Sequence, residues 1–179
     1  LDHKIRADVG IEKLIEDYSE PLKEIRNAQV GFTPIDLNGD RKSCRYHECS
    51  MGNLIADAFL QETKQYRTQI AFIAGGGIRA SLSRGVVTKS DVLTVLPFEN
   101  KTAIFDLKGS DILACLEHSV SQAESAENPN TGRFLQVAGL SFSWNVERSA
   151  GNRISEVYTI IGDEKAPLKL HKTYRIVTD

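Results

Sequence analysis

Apolar residues recur at Ile11, Leu14, Ile15, Tyr18 and Leu22, the i, i+3, i+4, i+7 spacing of one helix face. This predicts an amphipathic helix over Val9–Leu22, ended or bent at Pro21, which cannot donate into the helical ladder. Leu1 to Asp8 carries no such period and reads as a linker. From Ile25 to Leu37 apolar and polar residues alternate loosely, as in a strand, and Asn38-Gly39-Asp40 supplies turn chemistry. The same triplet could serve as an integrin-type acidic loop; a plain turn is the simpler use. The helical period returns over Asn53–Thr63, with Leu54, Ile55, Ala58 and Phe59 inward. Ile70–Ile73 is a short apolar strand that runs straight into Gly75-Gly76-Gly77.

Thr88-Lys89-Ser90-Asp91 has the form of a capping box, opening a short helix through Val95 that Pro97 stops. A strand is predicted over Thr102–Leu107, and a helix from Gly109-Ser110 to about Gln122. Ser121 to Thr131 is polar, contains Pro129 and reads as a surface loop. Strand-like runs follow at Phe134–Val137, Leu140–Val146, Arg153–Ile161 and Thr173–Val177, with Gly151-Asn152 as a turn between the middle two. Helices and strands are interspersed without the regular rhythm of a purely parallel sheet. The fold class is therefore α+β, mixed β-sheets layered with helices. The last run, Tyr174 to Asp179, stops inside or just after a strand, as either a natural terminus or a truncated domain would.

The 179 residues, 41% hydrophobic and 26% charged, suit one ordinary globular domain, large enough to form a core without staples. A net charge of −2 and a pI near 6.1 argue against a nucleic-acid partner held by a basic field. No apolar run approaches the ~18–20 residues of a transmembrane segment. Leu1-Asp2-His3-Lys4 is neither a signal peptide nor an initiator methionine, which points to a processed product or a piece of something longer. Three cysteines are too few for a disulfide scaffold. Cys44 and Cys49 could close a tight ring or bind metal, although no second Cys/His pair at zinc spacing follows. Cys115 sits among Ile112, Leu113, Leu116 and Val120 as a small buried hydrophobe. Asn100-Lys101-Thr102 is a glycosylation sequon, relevant only to a secreted protein.

Three features could carry chemistry. Gly75, Gly76 and Gly77 follow a strand and precede Arg79, a pattern that lets backbone approach a ligand while the arginine forks onto phosphate or stacks on a base. The spacing fits neither a Walker A loop nor a dinucleotide fingerprint, and a tight turn explains three glycines as well. Arg45, inside the possible Cys44–Cys49 ring, would be held rigidly enough to bind an oxyanion. Phe98, placed after Pro97, could present a stacking surface. No HExxH, GxSxG or paired-cysteine zinc motif occurs, and no nucleophile with its base is assembled.

In order along the chain, CRxxEC-x-MGNLIADAF, a strand with GGGIR, TxxDVLTVLPFEN, LKGSDILxxLEHSV and GRFLQVAGLSFSWN resemble the C-terminal domain of the 5′-nucleotidase family. That family includes ecto-5′-nucleotidases, secreted salivary apyrases and bacterial periplasmic UDP-sugar hydrolases. The resemblance runs from about Val9 onward, and its CR-x-x-x-C form is most similar to the animal extracellular branch. It implies residues 1–22 as an interdomain linker and helix, and 23–179 as a C-terminal domain incomplete at its end. It implies a Cys44–Cys49 disulfide, substrate-binding roles for Arg45, Arg79 and the Gly75–Gly77 loop, and Phe98 as one of two rings that sandwich the base. Divalent metals, zinc by resemblance, and the catalytic His-Asp pair would belong to an N-terminal metallophosphoesterase domain. This chain would hold no metal or catalytic residue and would be inactive alone. Its partners would be a nucleotide or nucleoside and that N-terminal domain, and the parent would be a secreted, extracellular hydrolase of nucleotides.

Two departures bear on that expectation. Ala74 stands where the family usually has an asparagine that bonds the nucleoside, a loss of roughly 0.5–1.5 kcal/mol. The family's second stacking ring and its ribose-holding aspartate lie in a segment beyond the last strand. An inactive relative that scavenges nucleotides or contacts a host receptor is the alternative, and Ala74 is its support.

Overall fold

The computed structural model describes residues 8–123 and 132–179; residues 1–7 of the expected linker and 124–131 of the expected loop lie outside the described residues. Helix α1 (Val9–Ser19) begins where the Asp8 carboxylate accepts from the amides of Gly10 and Ile11, as an N-cap should. Pro21 bends the path into a 3-10 turn, Glu20–Leu22, and helix α2 (Lys23–Asn27) follows. The strand expected from Ile25 is thus confined to β1 (Gln29–Thr33). Loose alternation over so few residues does not separate a strand from a helical turn. Helices α3 (Arg41–Cys44) and α4 (Ser50–Glu62) come next, then β2 (Ile70–Ala74) and β3 (Gly85–Thr88). Helix α5 (Lys89–Val95), β4 (Ala103–Lys108) and α6 (Gly109–Val120) precede the final strands. These are β5 (Leu135–Ala138), β6 (Leu140–Trp144), β7 (Ile154–Ile161), β8 (Glu164–Pro167) and β9 (Thr173–Thr178).

The apolar run of β2 becomes an inner strand of a mixed four-stranded sheet ordered β4-β9-β2-β5. Strand β9 runs parallel to β2 and antiparallel to β4, and β5 closes the other side antiparallel. Successive side chains of a strand face opposite ways, so β2 serves two cores. Ala71 and Ile73 join Met51, Ile55 and Ala56 of α4, with Val177. Ile70 and Phe72 join Ile112 and Leu116 of α6, with Tyr174, Ile176 and Leu140. The second core continues into a separate antiparallel sheet ordered β6-β7-β8, through Phe142, Ile154 and Val157. Each side chain fully buried in this way contributes roughly 1.5–3 kcal/mol. The chain changes sheets at Gly139, whose φ of +71° and approach to the Gln69 carbonyl leave no room for a Cβ.

Several details differ from expectation. Helix α4 is rotated on its axis: Met51, Gly52, Ile55 and Ala56 are its buried residues, while Leu54 is 47% exposed. The β6–β7 connection is also longer than a two-residue turn, closed by the Asn145 amide on the Arg153 carbonyl, with Gly151 at φ +89°. Helix α1 has the predicted stripe as far as Tyr18, yet Ile11, Leu14, Ile15 and Tyr18 are all exposed, as is Leu22 in the 3-10 turn beyond it. Cys115 is free and half-buried, and burial first, then Asp111, pushes its thiol above the ordinary value.

Helix α5 carries the predicted capping box. The Thr88 hydroxyl accepts from the Asp91 amide and donates to the Asp91 carboxylate, which also accepts from the Thr88 amide. Those two bonds, hydroxyl first, hold the Asp91 carboxyl below its usual range. Thr88→Ala should lower stability by about 1 kcal/mol at neutral pH. Because the folded pKa is depressed, the carboxylate's share is present above the unfolded value of about 4 and is lost as pH falls through the folded value. Urea midpoints of wild type and variant should therefore converge in acid. In alkylation of the native protein, Cys115 alone should react, more slowly than a free thiol and faster as pH rises.

Candidate functional site

The loop between α3 and α4 is closed by the Cys44–Cys49 disulfide. Its approach is a plain turn, as expected: the Asn38 side-chain carbonyl accepts from the Asp40 amide, and the Asp40 carboxylate caps α3 at the Lys42 amide. Cys49 then occupies the N-cap of α4, its sulfur accepting from Gly52. What fixes the loop in the fold is Gln136 on β5, which is 1% exposed. Its Oε1 accepts from the Cys49 amide at 3.0 Å, and its Nε2 donates to the carbonyls of Cys44 at 2.9 Å and His47 at 2.7 Å. Gly52 makes room for it, since a Cβ there would stand 2.4 Å from the glutamine side chain. Sequence reasoning did not single out Gln136. The available signal was a lone polar residue in the apolar stretch Phe134–Val137, informative only once the strand is known to be buried.

Gly75, Gly76 and Gly77 form a 3-10 turn directly after β2. The Gly75 amide donates to the Phe134 carbonyl and the Gly76 amide to the Gly132 carbonyl, each at 2.8 Å. A Cβ on Gly75 would fall 1.8 Å from the Cys44 carbonyl oxygen, and one on Gly76 would fall 2.9 Å from that of Gly132. These two glycines are dictated by backbone-to-backbone packing. Gly77 is not so confined, its nearest neighbour being the Asp179 carboxylate at 3.7 Å from such a Cβ. Ala74, just before the turn, is exposed.

Arg45 is buried, with its guanidinium against Gly132. Burial first, then the positive charges of Arg41 and Arg79, lowers its pKa from the ordinary arginine value. The Arg79 amide donates to the Val95 carbonyl, which anchors the glycine turn to α5. Its guanidinium donates to the Gly76 carbonyl at 3.2 Å and lies 5.6 Å over the Phe98 ring, within cation–π range. Phe98 is 52% exposed and lines a small notch of about 100 Å³ with Phe59, Gly77, Leu96, Asn100 and Asp179. The sequon residue Asn100 is exposed there and donates its amide to Asp179 at 3.1 Å.

The structure thus gathers Arg45, the glycine turn, Arg79 and Phe98 into one continuous region that holds two guanidiniums and an exposed aromatic ring. Among the described residues no group of three or more His, Cys, Asp or Glu could hold a metal ion.

The profile of the family described as 5′-nucleotidase, C-terminal domain, matches residues 27–179. The chain is 34% identical to the trifunctional nucleotide phosphoesterase protein YfkN of Bacillus subtilis, covering 100% of this chain and 12% of that protein. It is 32% identical to the 5′-nucleotidase of Diplobatis ommata, covering 100% of this chain and 33% of that one. The crystal structure of a 5′-nucleotidase precursor from Thermus thermophilus superposes with a TM-score of 0.89 at 40% identity, over 96% of this chain and 33% of that one. The chain therefore spans about a third or less of the length of these relatives.

Gln136→Ala would leave two carbonyls and one amide unpaired around a buried loop, each costing roughly 1–3 kcal/mol unless water enters. A destabilisation of about 3 kcal/mol is expected by urea denaturation. Gln136→Glu, which replaces the donor nitrogen by a second acceptor facing two carbonyls, should be at least as damaging. An unchanged midpoint in both variants would remove Gln136 from this role.

Proposed function

This chain belongs to the 5′-nucleotidase C-terminal domain family, and we propose that it is the substrate-binding domain of a secreted, metal-dependent 5′-nucleotidase or apyrase. The observation that carries the proposal is the convergence of Arg45, Arg79 and Phe98 on one glycine turn. In this reading Arg45 and Arg79 bind the phosphate and sugar side of a nucleotide while Phe98 stacks on its base. Arg79 lies over the Phe98 ring, so a base either displaces it or takes the opposite face. Ala74 contributes no side-chain hydrogen bond, which lowers affinity without removing the anion or the stacking subsite.

Hydrolysis would take place elsewhere. Divalent metals, zinc by resemblance, would activate the attacking water and stabilise the phosphoryl oxygens on an N-terminal metallophosphoesterase domain. The exposed apolar stripe of α1 supports a second surface of this kind, because a helix face with four large exposed apolar residues in register (Ile11, Leu14, Ile15 and Tyr18) is suited to packing against another body. Residues 1–22 would then be the interdomain linker and helix, and residues 23–179 the binding domain. The Cys44–Cys49 bond supports an oxidising, extracellular setting. No described helix is long and apolar enough to cross a membrane.

The alternative, a nucleotide scavenger or receptor-binding relative without catalysis, is separated from this proposal by experiment. This chain alone should release no phosphate from AMP, ADP or ATP with added zinc, calcium or magnesium. By NMR at the amides of Gly75, Gly76 and Gly77, AMP should bind no tighter than about 1 mM, near −4 kcal/mol. Micromolar AMP binding would favour the scavenger. In a protein that joins this chain to an active N-terminal domain, Phe98→Ala should raise KM for AMP by about five- to tenfold with kcat little changed, as loss of uniform binding does. A KM unmoved by both Phe98→Ala and Arg79→Ala would overturn the assignment of this site.

A further inference from the structure

A larger cleft lies on the outer side of the same disulfide loop, at the corner where β5 passes into β6. Its volume is about 350 Å³, and His47, Glu48, Asn53, Phe134, Phe142 and Trp144 are among its lining. That volume is in the range of ordinary small-molecule sites, unlike the 100 Å³ notch beside Phe98. The His47 and Trp144 rings face each other at 23°, with centroids 6.3 Å apart. A flat ring inserted between them needs two van der Waals contacts, roughly 7 Å in total. His47 is exposed, so its imidazole can yield that distance while its backbone carbonyl stays fastened to Gln136. Phe134 lies tilted at 6.2 Å from Trp144 and 6.1 Å from Phe142, forming a fixed apolar floor.

The polar groups of the cleft narrow the ligand further. The Asn53 amide donates to the Glu48 carboxylate at 2.7 Å. The second carboxylate oxygen and the asparagine carbonyl are both acceptors and call for a ligand with N–H donors. Among the described residues no lysine or arginine belongs to the lining, and Glu48 sets a negative field there, so a phosphate is disfavoured. We propose that this cleft binds an uncharged, planar heteroaromatic ring bearing an amino group, of the aminopurine type, as a free base or nucleoside without phosphate. It is separate from the Phe98 region and does not depend on the function assigned to that region.

The test uses Trp144, the one tryptophan of the sequence, as a reporter built into the cleft. Adenine, adenosine and AMP are titrated into the chain while indole emission is read, with NMR shifts at the Ser141 and Phe142 amides as a second measurement. Adenosine should give a saturable response with Kd below about 1 mM, and AMP should bind at least about fivefold more weakly through repulsion by Glu48. His47→Ala should weaken adenosine at least about fivefold. Glu48→Lys should reverse the preference toward AMP. The proposal is overturned by no saturable response up to about 10 mM, by equal affinity for adenosine and AMP, or by a response that survives His47→Ala and is lost in Phe98→Ala.

Discussion

The buried amide of Gln136 is the constraint on which the binding region rests. It satisfies one donor and two acceptors of a loop that no regular ladder could serve, and buried backbone groups without partners are costly in a low dielectric. The same Cys44 carbonyl that takes its hydrogen bond presses against Gly75. Gly52, at the start of α4, gives the glutamine its space. Disulfide loop, helix start, glycine turn and strand β5 therefore cannot move independently. The disulfide narrows the loop's conformations, and Gln136 selects where the closed loop sits.

Arg45 gains a fixed position from that arrangement and pays in desolvation and in repulsion from Arg41 and Arg79. The same short loop thus borders both the arginine-bearing region and the cleft lined by Glu48 and Trp144. Arg45 points to Gly132 on the arginine-bearing side. His47 lies on the side lined by Glu48 and Trp144, which favours neutral donors. Both sides are referred to the same glutamine.

Much of this was legible in the sequence where a pattern is local. The Thr88–Asp91 capping box, the apolar run of β2 and the start of α6 at Gly109 all depend on a few adjacent residues, and each forms where its residues say. The face of α4 was not legible, because Leu54 and Ile55 are equally apolar and only the packing of Gly52 on Gln136 decides which turns inward. Strands β3 and β8 were missed: each has four residues, β3 pairs with the sequence-distant β1, and β8 is an edge strand joined to β7 by the short Gly162-Asp163 turn, with little alternation of its own. In the binding region Arg45, Arg79 and Phe98 could be named from motifs. The reason for two of the three glycines could not, since it lies in the carbonyls of Cys44 and Gly132. Gln136 was hidden for a related cause: its importance is set by backbone groups 87 to 92 positions away.

Binding groups of two kinds are combined here, and their exposure decides what each can do. Arg45 is buried and its geometry is settled before any ligand arrives, so little ordering entropy remains to oppose binding. Arg79 and Phe98 are exposed and held mainly by each other and by the Gly76 carbonyl. Their contact keeps the ring near the anion-binding arginines but is weak enough, at about 0.5–1 kcal/mol for an exposed cation–π pair, to be exchanged for a ligand ring. A rigid cation beside a releasable cation–aromatic pair allows the anionic end of a ligand to be located first and its aromatic end to be fitted afterwards. In the proposed site, selectivity among aromatic rings would rest less on Phe98, whose face suits any flat partner, than on the hydrogen-bonding edge that Asn100 and Asp179 present beside it.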